Sequence, residues 1–153
     1  MQAGDTLGLT RADLPGAQRF RSRDSGLCYS FQPAGAGMLQ LHCTLVLAGE
    51  AAGQPAPWRY IVETDVLPEF EAEFNAWYDD EHLAGLAAVP GTVMAARCLV
   101  DSEDGSPRYL ACYDLAALET FNSPAWLLVR GTPWSSRVRP AFRNTRRTMF
   151  ERL

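Results

Sequence analysis

The stretch EFNAWYDDEHLAGLAAVPG, residues 73 to 91, decides how the chain is read. Phe74, Trp77 and Tyr78 recur at the spacing of one helix face, and Pro90-Gly91 ends the run because a residue before proline is pushed out of the helical region. Upstream, Pro68 stands near a first turn, and Glu69, Glu71 and Glu73 suit the positive end of a helix dipole. These signals predict a helix over 69–85. At about 100° per residue, Phe70, Phe74, Trp77, Tyr78 and Glu81 share a stripe, while Asn75, Tyr78 and His82 line one flank of it.

Outward from this helix, WRYIVETDV (58–66) has the branched and aromatic content of a strand, and TVMAARCLV (92–100) and RYLACYDL (108–115) are two more, joined by the turn-rich DSEDGSP (101–107). Helical spacing returns from Leu118 to about Val129 with Leu118, Phe121, Ala125 and Leu128, interrupted at Pro124. A short turn at PWSSRV (133–138) precedes FRNTRRTMFERL (142–153), read as a closing strand. The order strand, helix, strand, strand, helix, strand is the split βαβ pattern of a ferredoxin-like α+β sandwich with an antiparallel sheet. Its strands are apolar on both faces, so the face without helices needs a partner sheet. A second copy of the chain or its own N-terminal part can supply one.

GEAAGQPAPW (49–58) reads as a linker, dividing a strand-rich extension over 1–50 from the ferredoxin-like domain over 58–153. In the extension Leu14-Pro15-Gly16 leads into AQRFR as Val89-Pro90-Gly91 leads into TVMAARC, and GLCYSFQ (26–32) and MLQLHCTLVL (38–47) are strand-like. This suggests a degenerate repeat whose first copy has lost its opening strand and helix.

The chain's 153 residues suffice for one compact domain or for one unit and a partial copy, and 47% hydrophobic with 21% charged residues is a globular composition. A net charge of −4 gives no general attraction for nucleic acid or anionic membrane, although Arg137, Arg139, Arg143, Arg146, Arg147 and Arg152 lie close together. Strand alternation is expected to split that cluster between two faces. Cys28, Cys43, Cys98 and Cys112 form no CxxC and read as small reduced hydrophobes, so no metal site is expected. The first residues lack a basic start followed by an apolar block, which points to the cytosol and to no membrane partner.

His82 is one of only two histidines. An imidazole titrates near neutrality and can take a proton from carbon beside a carbonyl, with the Tyr78 hydroxyl stabilising the oxyanion. Asn75 would orient the substrate, Phe74 and Trp77 would wall the pocket, Trp126 and Trp134 would reach it from the second helix, and Glu81 or Asp79 would fix the histidine tautomer. The plain alternative is a packed histidine at a helix end, favoured by the dipole. Arg97 and Arg108, on adjacent strands, either hold a carboxylate or pair with Asp101, Glu103 or Asp114.

FNAWYDDEHLAGLAAVPG followed by two strands resembles the dimeric α+β barrel superfamily, in particular EthD-like proteins, with Phe74, Trp77, Tyr78 and His82 at the matching positions and the likeness spanning about 58–153. Many EthD-like chains follow the histidine with a proline or a leucine pair, whereas here His82-Leu83-Ala84-Gly85-Leu86 follows. The resemblance implies a homodimer and a pocket for a small hydrophobic molecule. It also implies one of several reactions, since the superfamily includes cofactor-free quinone-forming monooxygenases, polyketide cyclases, muconolactone isomerases and haem-degrading enzymes. Two functions remain open. One is an enzyme without a tightly held cofactor that acts on an aromatic or polyketide-like carbonyl compound by isomerisation, cyclisation or oxygenation. The other is a non-catalytic dimeric module that binds a hydrophobic metabolite or only assembles. A haem-binding variant is a third, lesser idea.

Overall fold

A computed structural model describes residues 1–101 and 107–153, so the hairpin expected over 101–107 falls mostly outside the described residues. The chain forms β1 (Thr6–Thr10), β2 (Gln18–Ser22), β3 (Cys28–Pro33), β4 (Leu39–Ala48) and β5 (Trp58–Val66). A 3-10 turn at Pro68–Phe70 leads into α1 (Glu71–Trp77), a π-helical turn (Tyr78–His82) and α2 (Leu83–Ala87). Then come β6 (Thr92–Asp101), β7 (Tyr109–Leu115), α3 (Pro124–Arg130), α4 (Pro133–Val138) and β8 (Phe142–Arg152).

All pairings are antiparallel, and the strands close into one barrel in the order β1-β3-β2-β8-β5-β7-β6-β4, with β4 returning to β1. Within each half the fourth strand flanks the first, the first flanks the third, and the third flanks the second. The halves join through β2 with β8 and β4 with β6. The expected ferredoxin-like α+β sheet is therefore present, and its bare face is covered by the chain's own N-terminal strands. Barrel closure needs no second copy. The opening strand that the sequence reading took as lost is present as β1, a short half-buried TLGLT whose Gly8 dilutes the strand signal. What the first half lacks is helix: 11–17 link β1 to β2, where 67–91 link β5 to β6. Among the described residues, no helix is long and apolar enough to cross a membrane.

Alternation on β5 divides the molecule into two cores. Ile61 joins Leu9, Phe20, Tyr29, Phe31, Leu41 and Phe150 inside the barrel, together with Cys43, Cys98 and Cys112. Tyr60 and Val62 face the helices with Phe74, Trp77, Tyr78, Leu86, Tyr113 and Trp126. Flanking Ile61 on its own face, Arg59 donates to both Asp114 oxygens at 2.6 and 2.9 Å, and Glu63 accepts from Arg11 at 2.7 Å and from the Tyr29 hydroxyl at 2.6 Å. Buried charges at both barrel ends are thus paired, as burial demands.

The second helical segment is phased differently from its expected pattern. Asn122 has φ of 60°, and the helix starts afresh at Pro124 with the Ser123 side chain capping the Trp126 N–H at 3.3 Å. Trp126 is consequently buried and Leu128, expected on the packed face, is 77% exposed. Gly85 allows α2 to approach α3, because a Cβ there would run into Val129.

Candidate functional site

The site lies between the helices and the C-terminal half of the barrel, and the π turn shapes it. The Leu83 N–H bonds to the Tyr78 carbonyl, five residues back, in place of the usual four. One extra residue in a turn rotates everything after it by roughly the 100° that one residue occupies. His82 is thereby carried off the Asn75 flank and set over Trp77, ring on ring, with centroids 4.1 Å apart and planes 20° apart. Trp77 is held in turn by its indole N–H, which donates to the buried Ser135 hydroxyl at 3.1 Å. Such π turns recur at functional sites.

Beside this stack is a cavity of about 30 Å³. The helical segment contributes Trp77, Tyr78, His82 and Leu86; the sheet contributes Tyr60, Val62, Tyr113 and Phe142; Trp126 closes one side. The volume holds about one water. At its mouth stand Arg130, Arg139 and Arg147, which also line an open trough of about 430 Å³ with Ser136 and Pro140. Cavity and trough share these three arginines, so the trough lies beside the cavity mouth.

Arg147 reaches this face through a β-bulge. Asp65 pairs with Arg143 and Glu63 with Arg146, so two residues of β8 oppose Thr64 alone, and Asn144 takes φ of 53°. The bulge puts Phe142 and Arg147 on the same side of the strand. The other members of the C-terminal arginine cluster are engaged elsewhere: Arg137 with Glu73, Arg146 with Tyr29, Arg152 with the Ala56 carbonyl, and Arg143 with the Pro140 and Phe142 carbonyls. Among the described residues, Arg130, Arg139 and Arg147 have no carboxylate within ion-pair distance.

Three of the buried polar atoms without a partner gather at the cavity, while Thr92 Oγ1 and Trp134 Nε1 are in the same state away from it. Burial, reinforced by Arg130 and Arg139, lowers the His82 pKa to about 3, so the imidazole is neutral at neutral pH. Burial pushes Tyr78 up to about 12 and Tyr113 well above its ordinary value, which keeps both phenols protonated. Arg139 is lowered by burial and by its neighbours Arg130 and Arg147. Among the described residues, His82 Nδ1, the Tyr113 hydroxyl and Trp126 Nε1 are buried with no hydrogen bond of good geometry, and all three side chains line the cavity. Three such atoms in one place are unusual in a folded interior.

The residues expected at the site are only partly brought together. His82, Tyr78, Trp77 and Trp126 line the cavity. Phe74 packs behind it, 5.1 Å from Tyr78 ring to ring, and Trp134 is half-buried in the helix-side core without reaching it. Asn75 lies in a different cleft, where its amide oxygen accepts from Arg97 at 2.8 Å. The π turn accounts for that separation. Neither acid expected to orient the histidine does so: Glu81 accepts from Thr132 at 2.8 Å and Asp79 from Arg97 at 2.8 Å. Arg97 and Arg108 are paired, as the sequence allowed, but with Asp79 and Glu71. Sequence reading missed Tyr60, Tyr113, Arg130 and the meeting of Arg139 with Arg147. The signal for Arg130 is its spacing of four from Trp126 on α3.

Haem does not fit. Beside the imidazole the cavity is only about 30 Å³, and His82 is stacked flat on Trp77 with its Nδ1 buried, so it is not placed to ligate a haem iron. Among the described residues, no group of three or more His, Cys, Asp or Glu converges.

No protein-family model and no curated protein matches the sequence. Solved structures do. An anthrone oxidase-like protein aligns over 100% of this chain and 94% of its own at 14% identity and a TM-score of 0.59. A heme-degrading enzyme from Listeria monocytogenes aligns over 96% and 99% at 10% identity and 0.63. A major regulator of staphylococcal pathogenesis aligns over 97% and 99% at 6% identity and 0.64. At such identities the likeness shows the fold alone: this chain shares a ferredoxin-like α+β barrel with these structures, both halves of the barrel lying in one polypeptide.

Proposed function

We propose that the protein is a small-molecule enzyme that acts on an aromatic or polyketide-like carbonyl compound by proton transfer, with His82 as the base. One observation carries this reading: three unpartnered polar atoms, on His82, Tyr113 and Trp126, border one aromatic-walled cavity. An interior arranged that way suits a guest with a few convergent polar groups. Neutral His82 can accept a proton, and the protonated Tyr78 and Tyr113 can donate to an oxyanion as it forms. Because the cavity holds about one water, the guest lies across the mouth and only its reacting edge reaches the imidazole. The enolate so formed is reprotonated elsewhere, closes on a second carbonyl, or is oxidised by dioxygen. The anthrone oxidase-like neighbour supports the last outcome.

The low basicity of His82 restricts the reaction to carbon acids already weakened by an adjacent ring or second carbonyl. Anthrone-type ketones and aryl β-dicarbonyls are therefore the compounds to test, with product formation and oxygen uptake as readouts. Wild type should turn over at least one class, and His82→Phe, which keeps a flat ring over Trp77, should lose at least about 100-fold while its melting temperature is retained. Full activity in His82→Phe sinks the reading, as does inactivity of wild type on every member. The small cavity favours one competitor, a non-catalytic module that holds a hydrophobic metabolite at the mouth. In that case His82→Phe leaves ligand affinity unchanged and alters stability alone.

A further inference from the structure

We infer that the mouth is a carboxylate clamp, and that the guest is an aromatic acid whose carboxylate sits among Arg130, Arg139 and Arg147 while its ring edge points toward His82 and Trp126. The inference rests on the small-molecule reading of the cavity and names the substrate class. Three elements deliver the cations: α3, the turn after α4 and bulged β8. Among the described residues each guanidinium is free of acidic partners, although the remaining C-terminal arginines have all found acceptors. Arg139 keeps only a long 3.4 Å bond to the Ser135 carbonyl, which leaves most of its donors available.

Like charges gathered at one opening repel one another, and an anion bound between them removes that repulsion. Guanidinium is matched to carboxylate because its planar fork can give two parallel hydrogen bonds. The aromatic part of the guest follows from what lies behind the clamp: Trp77, Tyr113, Trp126 and Phe142 offer ring faces and almost no charge. A bound carboxylate also counters the field that Arg130 and Arg139 exert on His82. Binding would then restore part of the imidazole's basicity only when substrate is in place.

The test is a titration of intrinsic fluorescence, for which Trp77 and Trp126 are built-in reporters, using 2-naphthoate, its neutral counterpart 2-naphthamide and inorganic phosphate. Naphthoate should bind at least fivefold more tightly than naphthamide, and raising salt from 50 to 300 mM should weaken only the acid. Arg130→Gln and Arg147→Gln should each cost naphthoate at least fivefold without affecting the amide. Arg137→Gln, whose side chain pairs with Glu73 away from the mouth, should change nothing. Equal affinity for acid and amide overturns the clamp, as do arginine variants that bind like wild type. Phosphate competing as well as naphthoate means an adventitious ion only. Because the readout is binding, it is separable from the catalytic test: His82→Phe that still prefers the acid keeps the clamp, and an active wild type indifferent to the carboxylate loses the clamp alone.

Discussion

The two faces of strands β5 and β7 carry similar residues to different ends. On the barrel side, Arg59 and Asp114 satisfy each other, and Glu63 is met by Arg11 and Tyr29. On the helix side, one residue along the same strands, Tyr113 has no partner, and neither does His82 Nδ1 or the Trp126 indole above it. Buried polar atoms that find partners hold a structure together; those that do not are tolerated where something other than stability selects them. On the proposed reading the inner face serves structure and the outer one chemistry, and substitutions on each face can break that division.

The largest effect should come from the inner face. Asp114→Ala leaves Arg59, which is 2% exposed, charged and unpaired, with Arg152 3.8 Å from the lost carboxylate. Removing one member of a buried pair typically costs about 3–5 kcal/mol. A urea midpoint should report that loss, and Arg59→Met with Asp114→Leu should recover most of it. If Asp114→Ala unfolds at the wild-type midpoint, the inner face is not what holds the barrel closed.

A smaller and more pointed pair is Tyr29→Phe against Tyr113→Phe. The chemical change is the same, and both rings are fully buried. Tyr29 loses a 2.6 Å bond to the Glu63 carboxylate, worth about 1.5–3 kcal/mol for a charged acceptor. Tyr113 loses a hydroxyl that has no charged partner and interacts only with the neutral Tyr78 phenol, so its variant should be close to neutral in thermal melts while losing turnover or guest affinity. Equal destabilisation by both would erase the distinction between the faces.

Much of this architecture was legible in the chain because it is written in short periods. Alternating runs marked seven of the eight strands, and the Pro68 and acidic start with the Pro90-Gly91 stop bounded the helix. Thr6–Thr10 escaped because five residues with a central glycine carry too little alternation. The site was less legible for a geometric reason. Placing Asn75, Tyr78 and His82 on one flank assumed a constant 3.6-residue turn, and a single π turn invalidated that assumption from His82 onward. The arginine mouth was hidden similarly, since Arg130, Arg139 and Arg147 lie on a helix, a turn and a strand, and no single period relates them. The bulge at Asn144 and the restart of α3 at Pro124 bring them together. In both places an irregularity of backbone moves the candidate side chain.

The last effect, and the smallest over the pH range to be followed, is the pH dependence that His82 adds. Its folded pKa of about 3 lies below the 6.5 it recovers on unfolding, so between those values the unfolded chain binds the proton and the folded one does not. The contribution is fully present above pH 6.5 and is lost as pH falls toward 3, by up to about 1.4 kcal/mol per unit. The groups facing the ring all oppose its protonation or stay neutral: Arg130 and Arg139 at the mouth, Trp77 beneath it, and Tyr78 alongside. Carboxylates titrate in part of the same window, so the quantity to follow is the difference between wild type and His82→Phe in urea midpoints from pH 7.5 to 5.5. That difference should be flat above 6.5 and shift against wild type below it. Parallel curves would show a histidine that charges freely in the folded state, which a buried ring stacked on Trp77 beside Arg130 and Arg139 should not do, and the unpaired face would then be as ordinary as the paired one.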